Sequence, residues 1–136
     1  MDFRDDLYFL VLTVEQEAGW EPDEGKLAVA YVIVNRANAS KASIMDTVFR
    51  NMQFSCWNPD SPTRMNLDVV PDHILRSCYK AAMAAYFRLS EDPSKGASHY
   101  LNEEETRKRR GGNLPGWFDE SKVTVRIGRH TFLKVE

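Results

Sequence analysis

Eleven residues, KLAVAYVIVNR from Lys26 to Arg36, constrain this chain more than any other stretch. Wound as a helix they are apolar almost all round, and a helix without a polar face must be enclosed by the rest of the fold. Pro22 suits a first helical position, and Asp23 and Glu24 complement the positive end of the dipole. The pattern predicts a central helix ending near Asn35 and Arg36, with a loop in ANASKAS. Asn38, Ala39 and Ser40 match a glycosylation acceptor, a match read as accidental without a secretory route.

Other elements must pack around that helix. Phe3, Leu7, Leu10 and Val14, with Val11 widening the stripe, mark an amphipathic first helix that Asp2 can cap and Gly19 can end. A short helix is expected from Ile44 to Phe49, then an irregular aromatic loop in NMQFSCWNPDSP. Pro71 and Asp72 open a long helix with Leu75, Cys78, Tyr79, Ala82, Ala85, Tyr86 and Leu89 on one face, stopped by SEDPSKG. Beyond Gly96 the pattern becomes β-like in ASHYLN and KVTVRIGRHTFLKV, with Gly128 and Arg129 as a two-residue hairpin turn. Between these strands EEETRKRRGGNLPGWF reads as a polar functional loop. Helices first and strands afterwards indicate an α+β fold.

At 136 residues, 43% hydrophobic and 28% charged, the chain has the size and composition of one soluble domain. No stretch is long and apolar enough to span a bilayer, so membrane insertion is not expected. The N-terminal segment is acidic at its front and lacks a small-residue cleavage site, so synthesis in the cytoplasm without a Sec signal is expected. Cys56 and Cys78 lack metal-site spacing and read as semi-buried thiols. A net charge of -2 argues against a dedicated DNA-binding domain, and no nucleic-acid partner is expected. The run from Arg107 to Arg110 is either a solvated face or an attractor for an anionic polymer.

The candidate chemistry centres on TVEQEAGWEP, which holds Glu15, Glu17 and Glu21. One more step of three along the first helix's stripe lands on Glu17, whereas Glu15 lies roughly 200° round the helix and should face water. A carboxyl at the end of an apolar face loses hydration, which favours the neutral form a general acid needs. The alternative is that Glu17 caps a neighbouring helix or pairs with Arg36. Glu21 and Glu24 are explained more simply by the second helix's dipole. Gln53, Phe54, Trp57, Tyr100 and Trp117 fall outside the helical stripes and could line a sugar-binding groove, although each could equally be core. His73, His99 and His130 could form a zinc site only by tertiary convergence; His130 could instead bond a buried partner or help hold the acid glutamate. No GxSxG elbow is present.

Four blocks in order, EAGWEPDEGKLAVAYVIVNR, QFSCW, GASHYLN and IGRHTF, resemble the cell wall hydrolases of the spore-cortex lytic enzyme type, which also occur as phage endolysins. The resemblance runs from about Leu7 to Lys134. It implies a lysozyme-like arrangement of helices around a groove with a small C-terminal antiparallel β element, and a peptidoglycan glycosidase activity, muramidase or lytic transglycosylase. The family's catalytic acid is the first acidic residue of a Glu-Ala-x-x-Glu-Pro pattern, which falls on Glu17. Glu21, Glu24, Gly25, Asn35 and Arg36 match further positions, as do Gln53, Phe54, Tyr100, Asn102, Gly128, His130 and Phe132. Gln16 and Trp20 stand where the family usually has glycine, so Trp20 is expected to cover part of the groove.

The expectation is therefore a single catalytic domain over residues 1–136, acting on peptidoglycan glycan strands as a monomer, with no cofactor and no metal. Glu17 would protonate the bond between N-acetylmuramic acid and N-acetylglucosamine. Glu21, Asn35, Gln53, Phe54, Trp57, Tyr100, Asn102, Trp117 and His130 would bind the strand. A hydrolytic muramidase would need a second carboxylate about 5 to 9.5 Å away, for which Glu21 is nearest in sequence. The rivals are a zinc amidase acting at the muramoyl-alanine bond and a catalytically silent wall- or nucleic-acid-binding module. With no separate wall-binding domain expected, targeting would fall to the catalytic domain, helped by the basic run. Delivery to the wall would need a phage holin, cell lysis or another export route.

Overall fold

The computed structural model describes residues 3–50 and 70–135. Four helices come first: α1 (Phe3–Ala18), α2 (Asp23–Ser40), α3 (Ile44–Phe49) and α4 (Asp72–Tyr86). Then follow β1 (His99–Leu101), α5 (Glu103–Arg109), a 3-10 turn at Glu120–Lys122, β2 (Val123–Ile127) and β3 (His130–Leu133). The α+β order expected from the sequence is the one observed.

The central position of α2 follows from its composition. Every residue from Ala28 to Val34 is buried, and the helix packs against α1, α3 and α4 and touches β1. It runs past Arg36 to Ser40, a correction to the loop expected in ANASKAS. Ala37 and Ala39 favour continuation, and the chain is turned off only at Lys41, whose left-handed backbone lets its N–H return to the carbonyls of Ala37 and Asn38.

α4 packs on α2 and α1 with Ile74, Cys78, Ala81, Ala82 and Ala85 buried; Cys78, Ala82 and Ala85 belong to the expected face, and Leu75 and Tyr86 are partly buried against the core. Small side chains let the helix axes come close, so Tyr79 stays exposed, and Leu89 lies beyond the helix end in solvent. α1 is one-sided only in its first half, where Phe3 is exposed. From Leu10 to Glu15 it is buried on every side.

The sheet is antiparallel with β3 in the middle, in the order β1, β3, β2. β3 is buried along its whole length, with Phe132 opposite Tyr100 of β1 and Val125 of β2. Asn35 and Arg36, in the C-terminal half of α2, bind the chain that enters β1. The Asn35 amide donates to Asp92 Oδ2 and to the Ala97 carbonyl, each at 3.0 Å, and Arg36 Nε donates to the Ser98 carbonyl at 2.6 Å. Asp92 also accepts from the N–H groups of Ser94 and Gly96, closing a tight turn.

The polar stretch after β1 is a helix in its first half, another correction. Asn102 caps α5 by accepting from the Glu105 N–H at 3.0 Å. Three glutamates open the helix and Arg107, Lys108 and Arg109 close it, matching the dipole at both ends. Among the described residues no helix is long and apolar enough to cross a membrane.

Candidate active site

The last turn of α1, the turn into α2, α5 and the β2–β3 hairpin enclose a groove of about 400 Å³, within the range usual for ligand sites. It is lined by Glu15 and Glu17 of α1, by Trp20 just beyond that helix, and by Tyr100, Asn102 and His130.

Gly19 lets α1 turn toward α2: its N–H still donates to the Glu15 carbonyl at 2.9 Å, and a Cβ there would sit 2.5 Å from that oxygen. Glu17 is half-buried on this last turn. The Tyr100 hydroxyl donates to Glu17 Oε1 and so orients the carboxyl within the groove. Glu15 lines the same groove and is only 8% exposed, with Gln16 Nε2 donating to its Oε2 at 2.6 Å. This corrects the expectation that Glu15 faces water. That expectation assumed a helix with one wet side, whereas the second half of α1 is enclosed.

Glu21 is the more deeply set carboxylate, 6% exposed. Arg129 donates to it twice, through its backbone N–H to Oε1 at 2.9 Å and through Nε to Oε2 at 3.0 Å. Burial pushes the Glu21 pKa up, but the two Arg129 hydrogen bonds and the nearby His130 and Arg129 outweigh it, and the net shift is downward. Glu21 therefore fastens the hairpin to the helical part instead of merely facing the α2 dipole, while Glu24 is exposed in the first turn of α2.

Gly128 makes this possible. It occupies the first central position of the hairpin with φ +57°, and a Cβ would lie 2.6 Å from Glu21 Oε1. His130 follows, with Nδ1 buried at 3.8 Å from Glu21 Oε1 and without a hydrogen bond among the described residues. Burial lowers its pKa despite the Glu21 carboxylate, so the ring is neutral near neutrality. His130 packs edge-on against the Tyr100 ring, with centroids 5.1 Å apart.

Of the residues put forward from the sequence, Glu17, Glu21, Tyr100, Asn102 and His130 meet at this groove. The Asn102 side-chain oxygen is also used as the α5 cap. Asn35 is not at the groove, because its amide is committed to the Asp92 turn. Trp117 is not among the lining residues either, and stacks obliquely on His99 with centroids 4.8 Å apart. Gln53, Phe54, Trp57 and Cys56 lie outside the described residues. Cys78 is buried against α2, and burial pushes its thiol up to about 11. Among the described residues no three His, Cys, Asp or Glu side chains are grouped to hold a metal ion, so His73, His99 and His130 do not converge.

Sequence reasoning missed Glu105, Thr106 and Arg129 as groove residues, and named Arg109 only within the basic run read as a solvated face or an anion attractor. Glu105, Thr106 and Arg109 had a readable signal as a groove face. Asn102, Glu105, Thr106 and Arg109 recur at three, one and three, which is one face of a helix, and Asn102 with Glu105 resembles a helix-start pattern.

Comparison with known proteins gives the fold and the family. The chain is 27% identical over 129 residues to a spore cortex-lytic enzyme of Halalkalibacterium halodurans; the match covers 93% of this chain but 34% of the relative, about a third of its length. The solved catalytic domain of the germination-specific lytic transglycosylase SleB from Bacillus anthracis superposes with a TM-score of 0.68 at 23% identity, covering 95% of this chain and 93% of that domain. The lysozyme-like fold implied by the resemblance is thus the one observed. The family model described as Cell Wall Hydrolase matches residues 20–133, starting three residues after Glu17. On that match across most of its length, this chain belongs to the cell wall hydrolase family.

Proposed function

We propose that the protein is a peptidoglycan glycosidase of the lytic transglycosylase kind, with Glu17 as its single acid and base. The observation that carries this reading is the different settings of Glu17 and Glu21, two of the four glutamates that line the groove. Glu17 is half-buried with its carboxyl oriented in the groove by Tyr100, and Glu21 serves the fold, its two oxygens accepting from Arg129 to hold the hairpin.

Glu17 in its acid form donates a proton to the glycosidic oxygen between N-acetylmuramic acid and N-acetylglucosamine. The C1–O bond breaks with oxocarbenium character. The muramoyl C6 hydroxyl then adds to C1 and gives its proton to the Glu17 carboxylate, which restores the acid and closes a 1,6-anhydro ring. No water is consumed and no second carboxylate is needed. A hydrolytic muramidase would need a base for water, and Glu21 would have to give up a hydrogen bond to serve.

Arg109 at the groove suits an anionic substrate, since peptidoglycan carries acidic peptides on its glycan. Its neighbours are used differently: Lys108 faces Glu104 and Glu105, and Arg107 donates to the Gly112 carbonyl. Mass analysis of a sacculus digest tests the reading. Anhydro-muramic termini are expected; reducing muramic ends would assign hydrolysis, and peptides freed from intact glycan would assign an amidase.

A further inference from the structure

Trp20 is 69% exposed, yet it lines the groove beside Glu17 and Glu21. The other exposed aromatics among the described residues, Phe3, Tyr8, Phe49, Tyr79 and Phe87, lie away from it. An indole left this open contributes little to the core, while its flat face is among the largest apolar surfaces a side chain can offer a ligand.

Its backbone is nonetheless firmly held. On one side the Gly19 N–H returns to the Glu15 carbonyl at 2.9 Å, and on the other the Glu21 N–H returns to the Ala18 carbonyl at 3.0 Å. The Glu21 carboxylate is then tied to Arg129. An exposed ring on an immobilised turn is the arrangement that binds with little ordering cost.

What surrounds the ring selects the ligand. Gln16, Tyr100, Asn102 and Thr106 bring amide and hydroxyl groups to the same groove. One flat apolar face among hydrogen-bonding groups fits a pyranose, whose ring face is C–H and whose edge is hydroxyl and N-acetyl. We infer that Trp20 is a stacking platform for a sugar ring next to the bond that Glu17 cleaves, and so sets affinity for the glycan strand. This inference rests on the glycosidase reading above.

The test uses peptide-free glycan strands prepared from sacculi, with Glu17→Gln protein to prevent turnover and calorimetry to measure Kd. Adding Trp20→Ala should weaken binding about tenfold, as loss of one stacked ring does elsewhere. Trp20→Phe should recover most of it, and Trp20→Leu should not. Melting temperatures of these proteins should agree within about 2 °C, since an exposed side chain is removed. In the active protein, Trp20→Ala should raise KM with kcat little changed. Unchanged Kd in Trp20→Ala, or equal rescue by Leu and Phe, overturns the inference and leaves the glycosidase reading standing. Loss of fold in Trp20→Ala also counts against it, and the Phe and Leu pair then decides between ring stacking and packing. Failure of the Trp20-containing protein to bind any strand overturns both the inference and the reading.

Discussion

Glu21 and Arg129 are 108 residues apart in the chain, and the carboxylate of one receives the backbone N–H and the guanidinium Nε of the other at 2.9 and 3.0 Å. This pair fixes the hairpin that carries His130 against the turn that follows Glu17. The site is thus assembled from both ends of the chain, and its geometry depends on that fastening.

Replacing Glu21 with Ala strands the Arg129 N–H and removes a buried charge partner. A loss of about 1.5 to 3 kcal/mol is expected, the usual worth of a hydrogen bond to a charged group. The guanidinium adds little because it is largely exposed. Urea denaturation checks this, and Arg129→Ala, which keeps the backbone N–H, should cost clearly less.

Gly128→Ala meets two obstacles, a left-handed φ of +57° and a contact 2.6 Å from Glu21 Oε1. The backbone alone costs about 1 to 2 kcal/mol. The variant should therefore lose more than that, and its sacculus-clearing activity should fall with the displaced hairpin. Stability equal to wild type would mean the turn is not held as described.

Stability should fall in two stages as pH is lowered from neutrality. Burial holds the His130 pKa below its ordinary 6.5, so the unfolded chain takes up a proton first and stability is lost as pH falls from 6.5 toward the folded value. Glu21 is also held below its ordinary 4.5, so its contribution is complete above 4.5 and is lost as pH falls through the folded value. Thermal melts across this range should show His130→Gln flattening the upper stage and Glu21→Gln the lower.

Much of this was legible in the sequence. The stripe of α1, the apolar run of α2, the Gly128–Arg129 hairpin and the position of Glu17 at the end of a stripe are local patterns, and local patterns can be read from the sequence. The Glu21–Arg129 pair leaves no such trace, because neither residue's neighbourhood names the other. Glu15 was misread for a related reason: helical spacing says which residues share a face, not how many faces the fold covers. Asn35 shows the same limit. An amide on a central helix can serve a ligand or a turn, and only the Asp92 geometry shows that it serves a turn.

Tyr100→Phe removes the hydroxyl that orients Glu17 while keeping the ring that packs on His130 and Phe132. We expect kcat to fall about tenfold, the equivalent of one hydrogen bond of ordinary strength, with KM nearly constant. Steady-state clearing of purified sacculi gives both values. A change confined to KM would place Tyr100 in strand binding alone.

Arg109→Ala should raise KM for peptide-bearing sacculi several-fold and weaken the dependence of KM on salt, since one attractive charge is removed from the groove. Peptide-free glycan strands should be much less affected. Equal losses on both substrates would show that the side chain does not act through the peptide's carboxylates.

The most direct measurement is the rate at which Glu17→Gln clears purified murein sacculi, with mass spectrometry of whatever is released. The swap keeps the shape of the side chain and removes its transferable proton. A drop of about a thousandfold is expected, within the range a lost general acid produces, against a wild type whose products are one water lighter than those of hydrolysis. Clearing by Glu17→Gln at close to the wild-type rate would contradict the account.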